Sequence, residues 1–184
     1  MTQLAEHLGG YTPGGDPATF FPDLWAWLVE ELGVRSVIDV GCGEGHALAE
    51  FRGLGCEVLG VDGVPQEDPD VVVHDYTTGP LMLKTKFDLC WSCEFVEHVE
   101  ERYVPNFLLS FGMADLVLIT HATPGQLGHH HVNCRPAEYW AGAMAAIGYR
   151  LEHHLTDITR SLARKNTSPW NHYLRSGMAF RRFD

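Results

Sequence analysis

Three glycines at alternating positions, Gly41, Gly43 and Gly45, follow the apolar run Val37-Ile38-Asp39-Val40 and precede a helical pattern. Glycine lets the backbone turn sharply and approach a ligand with no Cβ in the way, and a helix N-terminus offers unpaired N–H groups. Seventeen residues beyond Gly45, the run Val58-Leu59-Gly60-Val61 ends in Asp62, a carboxylate that can accept both hydroxyls of a ribose. The dinucleotide fingerprint G-x-G-x-x-G is not met, because the third glycine falls two rather than three residues after the second. The chemistry indicated is binding of a nucleoside-type ligand, with glycine spacing that departs from the nicotinamide-enzyme pattern.

A second constellation lies downstream. Glu94, Glu97 and His98 stand at i, i+3 and i+4 after the apolar run 87–92, and a helix beginning near Glu94 would project all three from one face. The next apolar run, 116–120, leads into His121 and then His129, His130 and His131, delivering imidazoles to the same sheet edge. Two carboxylates and two imidazoles suit a divalent ion, with oxygen for Mg²⁺ or Mn²⁺ and nitrogen for Zn²⁺. The other reading of the same residues is a pocket wall in which His98 or His131 acts as general base. Cys90-x-x-Cys93 has redox spacing, but Cys90 falls inside a strand pattern and the pair reads as two ordinary semi-buried cysteines.

The elements that must position these groups alternate between short β-rich and helical runs, the pattern of a parallel sheet with crossover helices. Strands are expected at 36–40, 57–61, 70–74, 87–92, 115–120, 149–155 and 177–182, and helices at 46–54, 95–110 (interrupted at Pro105) and 136–147, with a weaker one at 157–165. An earlier helix opens at Pro22 with Leu24, Trp25, Leu28 and Leu32 on one face, a core stripe. The last two strands follow one another closely, which an antiparallel final strand accommodates. Residues 1–16 are glycine-rich, and Tyr11 and Asp16 there read as part of a lid.

At 184 residues the chain is expected to be one domain, 1–184, and no stretch approaches the roughly 18 uninterrupted apolar residues of a membrane span. The opening residues lack the basic start and apolar centre of a secretory signal, and the five cysteines make an odd count, so a reduced, cytoplasmic setting is expected. A net charge of −11 gives no long-range attraction to a phosphate backbone, and nucleic acid is not an expected partner. The basic run Arg160, Arg164, Lys165, Arg175, Arg181 and Arg182 reads as a solvated rim.

Asp39-x-Gly41-x-Gly43-x-Gly45 resembles motif I of the class I S-adenosylmethionine-dependent methyltransferases, and nearly the whole chain can be laid on that family. The resemblance implies an α/β, Rossmann-like sandwich whose seven-stranded sheet is mostly parallel with an antiparallel last strand. It implies S-adenosylmethionine as cofactor, with Gly41 and Gly43 beside the methionine part, Asp62 at the ribose and Asp75 at the adenine amino group. Asp39, Gly63, Tyr76 and Glu94 complete the cofactor shell that it implies. Glu94-x-x-Glu97-His98 further resembles the E-x-x-E-H of metal-dependent ubiquinone-biosynthesis O-methyltransferases and, with His131, Glu138 and Trp140, the small-RNA 2′-O-methyltransferases. On that resemblance Glu94, Glu97, His98 and His131 would hold Mg²⁺ or another divalent cation, with His98 and His131 catalytic. The aromatic–acid pair of the RNA family is missing after His131, so the expected acceptor is a small polar or sugar-like molecule methylated on oxygen. Metal-free N- or O-methylation and a non-catalytic cofactor-binding scaffold are the alternatives. A chain this short leaves little room for a cap, which is compatible with a homodimer completing the acceptor pocket.

Overall fold

The protein is described by a computed structural model covering residues 5–8 and 13–183; Tyr11, assigned above to a lid, lies outside the described residues. Strands β1 (Ser36–Val40), β2 (Glu57–Asp62), β3 (Val71–Val73), β4 (Phe87–Ser92), β5 (Ala114–Ile119), β6 (Tyr149–Leu151) and β7 (Met178–Arg182) form one sheet in the order β3-β2-β1-β4-β5-β7-β6. The five strands from β3 to β5 pair in parallel, and β7 inserts antiparallel between β5 and β6. The mostly parallel sheet with an antiparallel last strand expected from the sequence is therefore present. Val37, Ile38 and Val40 in β1 and Leu116 to Ile119 in β5 are buried on both faces, as a sheet covered by helices requires.

The order reverses between β1 and β4. The loops after the carboxyl ends of those two strands diverge and leave the crevice in which open α/β sheets bind ligands. On one side of the sheet, α1 (Pro22–Glu31) and α2 (His46–Gly53) pack Leu24, Trp25, Leu28 and Phe51 against Val37 and Trp91, joined by α5 (His153–Ala163) and α6 (His172–Ser176). On the other, α3 (Val104–Phe111) and α4 (Ala137–Ala146) contribute Phe107, Phe111, Trp140 and Met144 against Ile38, Cys90 and Val117. No helix among the described residues is long and apolar enough to cross a membrane.

Three expected elements differ. The strand predicted over 149–155 stops at Leu151, and α5 begins at His153, four residues before the predicted weak helix. Leu155, Thr159 and Ala163 recur every four residues and are buried, so tertiary packing of one face outweighs the modest helix propensity of three β-branched residues, Thr156, Ile158 and Thr159. The helix predicted over 95–110 is instead two 3-10 turns, Val96–His98 and Glu101–Tyr103, followed by α3, where Pro105 sits in the first turn. Proline there loses no helix hydrogen bond, so it helps start this helix rather than bending one. Helix α6 lies where no helix was predicted, and the Asn171 side chain caps it by accepting from Leu174 N at 2.9 Å.

Candidate active site

Gly41, Gly43 and Gly45 all adopt positive φ (80°, 52° and 77°) between β1 and α2. Only glycine takes this backbone without strain. A Cβ on Gly41 would lie 2.6 Å from the Phe95 ring, whereas one on Gly43 would meet nothing within 4 Å, so the backbone at Gly43 is open to a ligand. Gly41 N and Cys42 N both donate to Val61 O (2.8 and 3.3 Å), tying the loop to the end of β2. Asp62 then accepts from Gly43 N and Val64 N, each at 2.8 Å. Burial pushes the Asp62 carboxyl up, partly offset by these amides. Asp39, deeper and almost wholly enclosed, is pushed up further by burial and by the Asp62 charge.

Past β3, Asp75 Oδ1 accepts from Thr77 N (2.8 Å) and caps the 3-10 turn Tyr76–Thr78, while Oδ2 meets His7 Nε2 at 2.8 Å. Burial works against the Asp75 charge, but the His7 and Thr77 contacts outweigh it and hold the carboxyl below its usual range. The Tyr76 hydroxyl donates to Ser110 Oγ at 2.7 Å, and its ring packs edge-on to Phe95. His7 and Leu8 belong to the 3-10 turn Glu6–Leu8, and the Leu8 side chain lies against Gly63 so closely that a Cβ there would collide with it. This part of the expected lid thus rests on the Asp62–Asp75 edge.

All eight residues expected around the cofactor, Asp39, Gly41, Gly43, Asp62, Gly63, Asp75, Tyr76 and Glu94, line one cavity of about 950 Å³, together with His98 and His131. Glu97 is fully buried behind its wall. Because the expected helix is replaced by a 3-10 turn, Glu94, Glu97 and His98 do not share a helix face. Glu94 has φ 54°, costly for a residue with a side chain, and three contacts define it. Its N–H donates to Thr120 Oγ1 (2.7 Å), that hydroxyl donates back to Oε1 (2.9 Å), and His172 Nδ1 lies 2.8 Å from Oε2. His172 Nε2 in turn meets Asp16 Oδ2 at 3.2 Å.

Glu97, His98 and His131 converge without Glu94: one potential ligand atom from each lies within 4.8 Å of the others. Val132 N and Asn133 N both donate to Glu97 O at 3.0 Å, which staples the histidine loop to the turn. His131 Nδ1 donates to Gln126 O (3.3 Å), a bond that leaves Nε2 with its lone pair. Neither carboxylate oxygen of Glu97 nor Nδ1 of His98 has a partner at full hydrogen-bond geometry among the described residues. Burial, and then the Glu94 charge, push the Glu97 carboxyl up, an effect the backbone amides of Glu97 and Ala122 offset only in part. Burial and the neighbouring His131 lower His98 to about 4. A neutral imidazole of that pKa is a poor proton acceptor at neutral pH and a good ligand.

Sequence reasoning missed Thr120 and His172. Neither belongs to a short motif: they meet Glu94 only because the ends of β4 and β5 are neighbours and α6 folds back over them. The Glu94–His172 pair has a pH signature. Burial opposes both charges, yet their contact dominates, so Glu94 is lowered and His172 raised. The raised His172 contributes stability fully present below its unfolded value near 6.5 and lost as pH rises through the higher folded value. The lowered Glu94 contributes stability present above about 4.5 and lost in stronger acid. Thermal melts of His172→Ala are therefore expected to lose part of the decline in stability that the native protein shows above pH 6.5; identical profiles would contradict the pairing.

The methyltransferase-domain family profile matches residues 17–113, more than half of the chain. Curated protein sequences yield no match. Among solved structures, a sugar N-methyltransferase from Streptoalloteichus superposes with a TM-score of 0.66 at 18% identity, covering 93% of this chain and 90% of that one. The 1,6-didemethyltoxoflavin N1-methyltransferase of Burkholderia thailandensis, with bound 1,6-didemethyltoxoflavin and S-adenosylhomocysteine, gives 0.58 at 17% identity over 88% of this chain and 77% of that one. The magnesium protoporphyrin IX methyltransferase of Synechocystis with bound S-adenosylmethionine gives 0.57 at 16%, covering 87% and 76%. At these identities the likeness is one of fold.

Proposed function

The chain belongs to the class I S-adenosylmethionine-dependent methyltransferases, and from that premise we propose that it methylates an oxygen of a small polar or sugar-like acceptor with a divalent cation held by Glu97, His98 and His131. The observation that carries the cation is the buried Glu97 carboxyl, whose oxygens have no partner at full hydrogen-bond geometry among the described residues, while two imidazoles bring ligand atoms close to it. Burial and the Glu94 charge disfavour the ionised form of Glu97, and a cation bound there would offset that cost.

The cofactor, when bound, supplies a methyl group on a cationic sulfur. The chain's own residues then do the positioning. The open backbone at Gly43 lets the ligand approach β1 closely, Asp62 and Asp75 accept hydrogen bonds from hydroxyl and amino donors, and the glycine loop, fixed by Val61 O, holds that geometry. A cation on the Glu97, His98 and His131 trio would bind an acceptor hydroxyl and lower its pKa. Glu94, kept ionised by His172, lies on the same cavity wall and accepts hydrogen bonds from the acceptor. His7 and Leu8 exclude water from the ribose edge. Because methyl transfer from a sulfonium to an acceptor oxygen depends mainly on in-line alignment, this positioning supplies most of the required rate enhancement.

A small-molecule acceptor rather than nucleic acid fits the net charge of −11 and the size of the cavity, about 950 Å³. The cation reading is tested by elemental analysis of the purified protein and by titration with Mg²⁺, Mn²⁺ and Zn²⁺ after chelation. Saturable binding to the native chain that is lost in Glu97→Gln is the expected result. No binding of any of the three would transfer support to metal-free methylation, for which the likeness to a sugar N-methyltransferase is the favouring observation.

A further inference from the structure

The basic run near the C-terminus does not act as one rim. Arg160 Nε donates to Gly177 O at 2.7 Å, Lys165 pairs with Asp23 at 2.7 Å, and Arg182 packs on the Tyr149 ring beside Asp115. Lys165 and Arg175 are the cavity-lining lysine and arginine among the described residues. Lys165 is neutralised by Asp23, whereas Arg175 is exposed and has no carboxylate partner among the described residues. One Arg175 nitrogen donates to Pro169 O (3.1 Å), and the guanidinium carbon lies 5.0 Å from the centre of the Trp170 ring.

Trp170 is the second unusual feature. Its side chain is 62% exposed at the cavity mouth, whereas Trp25, Trp91 and Trp140 are buried. The loop that presents it is not loose. Asn166 Nδ2 donates to Pro17 O and Phe20 O (2.8 Å each), and Ser168 N donates to Asn166 Oδ1 (2.9 Å). The buried Asn171 donates to Ala163 O and Asn166 O (2.7 and 2.9 Å), and Trp170 N donates to Ser168 Oγ (3.2 Å). These bonds fix a ledge that holds the exposed indole and the Arg175 guanidinium side by side in one orientation.

Resting on the acceptor reading above, we propose that Trp170 and Arg175 form the acceptor-recognition ledge of this cavity, and that the acceptor carries a ring and an anionic group, a carboxylate or a phosphate. The ring packs on the indole, and the anion takes the guanidinium N–H groups that Pro169 leaves free. Elsewhere among the described lining residues carboxylates outnumber lysine and arginine, Asp16, Glu44, Glu94 and Glu100 among them, so an anion is favoured at the ledge over the acidic stretches of wall. Arg175, the lining arginine without a carboxylate partner among the described residues, therefore sets the orientation: charged end at the mouth, reacting hydroxyl inward.

The test uses the full chain saturated with S-adenosylhomocysteine and follows tryptophan fluorescence and saturation-transfer NMR during titration with glucose, glucuronate or glucose 6-phosphate. At least one anionic sugar is expected to half-saturate at a concentration about tenfold below that of glucose, and the better of the two identifies the anion. That preference is expected to vanish in Arg175→Gln, and the fluorescence change in Trp170→Phe. Both side chains are exposed, so both variants should fold, and a thermal melt verifies this. Equal half-saturation by all three sugars, no saturable response to either anion up to its solubility, or an anion preference retained in Arg175→Gln overturns the ledge. Failure of S-adenosylhomocysteine itself to bind overturns the methyltransferase reading instead.

Discussion

Asp62→Ala is expected to weaken S-adenosylmethionine binding by about 100-fold or more, measured by isothermal titration with S-adenosylhomocysteine as a non-reacting control. A hydrogen bond to a charged group contributes roughly 1.5–3 kcal/mol, so losing two from one carboxylate removes about 3 kcal/mol at least, and each 1.4 kcal/mol is about a factor of ten in affinity. The loss is compounded because Asp62 also accepts from Gly43 N and Val64 N, so the variant loosens the loop that shapes the site. Asp62→Asn keeps one acceptor oxygen and nearly the same volume, and an intermediate loss is expected there. Native affinity in Asp62→Ala would mean that the cofactor does not lie along the ends of β1 and β2, and the site would have to be redrawn.

The largest stability effect is expected at Trp25. Its side chain is 1% exposed and meets Phe20, Phe21, Phe51 and Trp91 edge-on or tilted, with centroids 5.2–6.3 Å apart. Trp25→Ala removes the centre of this cluster and leaves a cavity that the rigid β1–β4 face is poorly able to fill, at a cost of about 3–5 kcal/mol. For a chain of this length that corresponds to a fall in Tm of roughly 6–20 °C. Trp25→Phe should cost much less, because the indole Nε1 is buried without a hydrogen-bond partner and its removal sacrifices no bond. Since Phe21 and Trp25 also line the cavity, the Ala variant is expected to bind cofactor more weakly at temperatures near its melting point and normally well below it. A chemical-denaturation midpoint unchanged in Trp25→Ala would show that the cluster contributes little.

The division between what is written locally and what is assembled at a distance runs through single residues. Strands β1 and β4 begin and end where the sequence puts them, because an apolar run bounded by turn residues is a local signal, and the glycine loop was legible because positive φ is a property of glycine itself. The same holds for Asp62 and Asp75, which lie at or just beyond strand ends that the pattern locates. Periodicity was misleading at 95–110, where apolar spacing suits a helix but the chain between Phe95 and Tyr103 is spent on two short turns that bury Glu97 and aim His98 at the cavity. It misled again at 149–155, where burial of one face of α5 against β7 decided in favour of helix.

By itself the sequence determined the fold class, the glycine loop and a set of candidate site residues, since each depends on neighbours within a few positions. Only the tertiary structure decided how that set divides. It placed Glu97, His98 and His131 together and gave Glu94 to Thr120 and His172, because those partners arrive from β5 and α6 across the sheet. It also separated Arg175 from the rest of the basic run and set it beside an exposed Trp170. Contacts between residues far apart in the chain depend on strand order and helix packing, which no local pattern of residue types encodes.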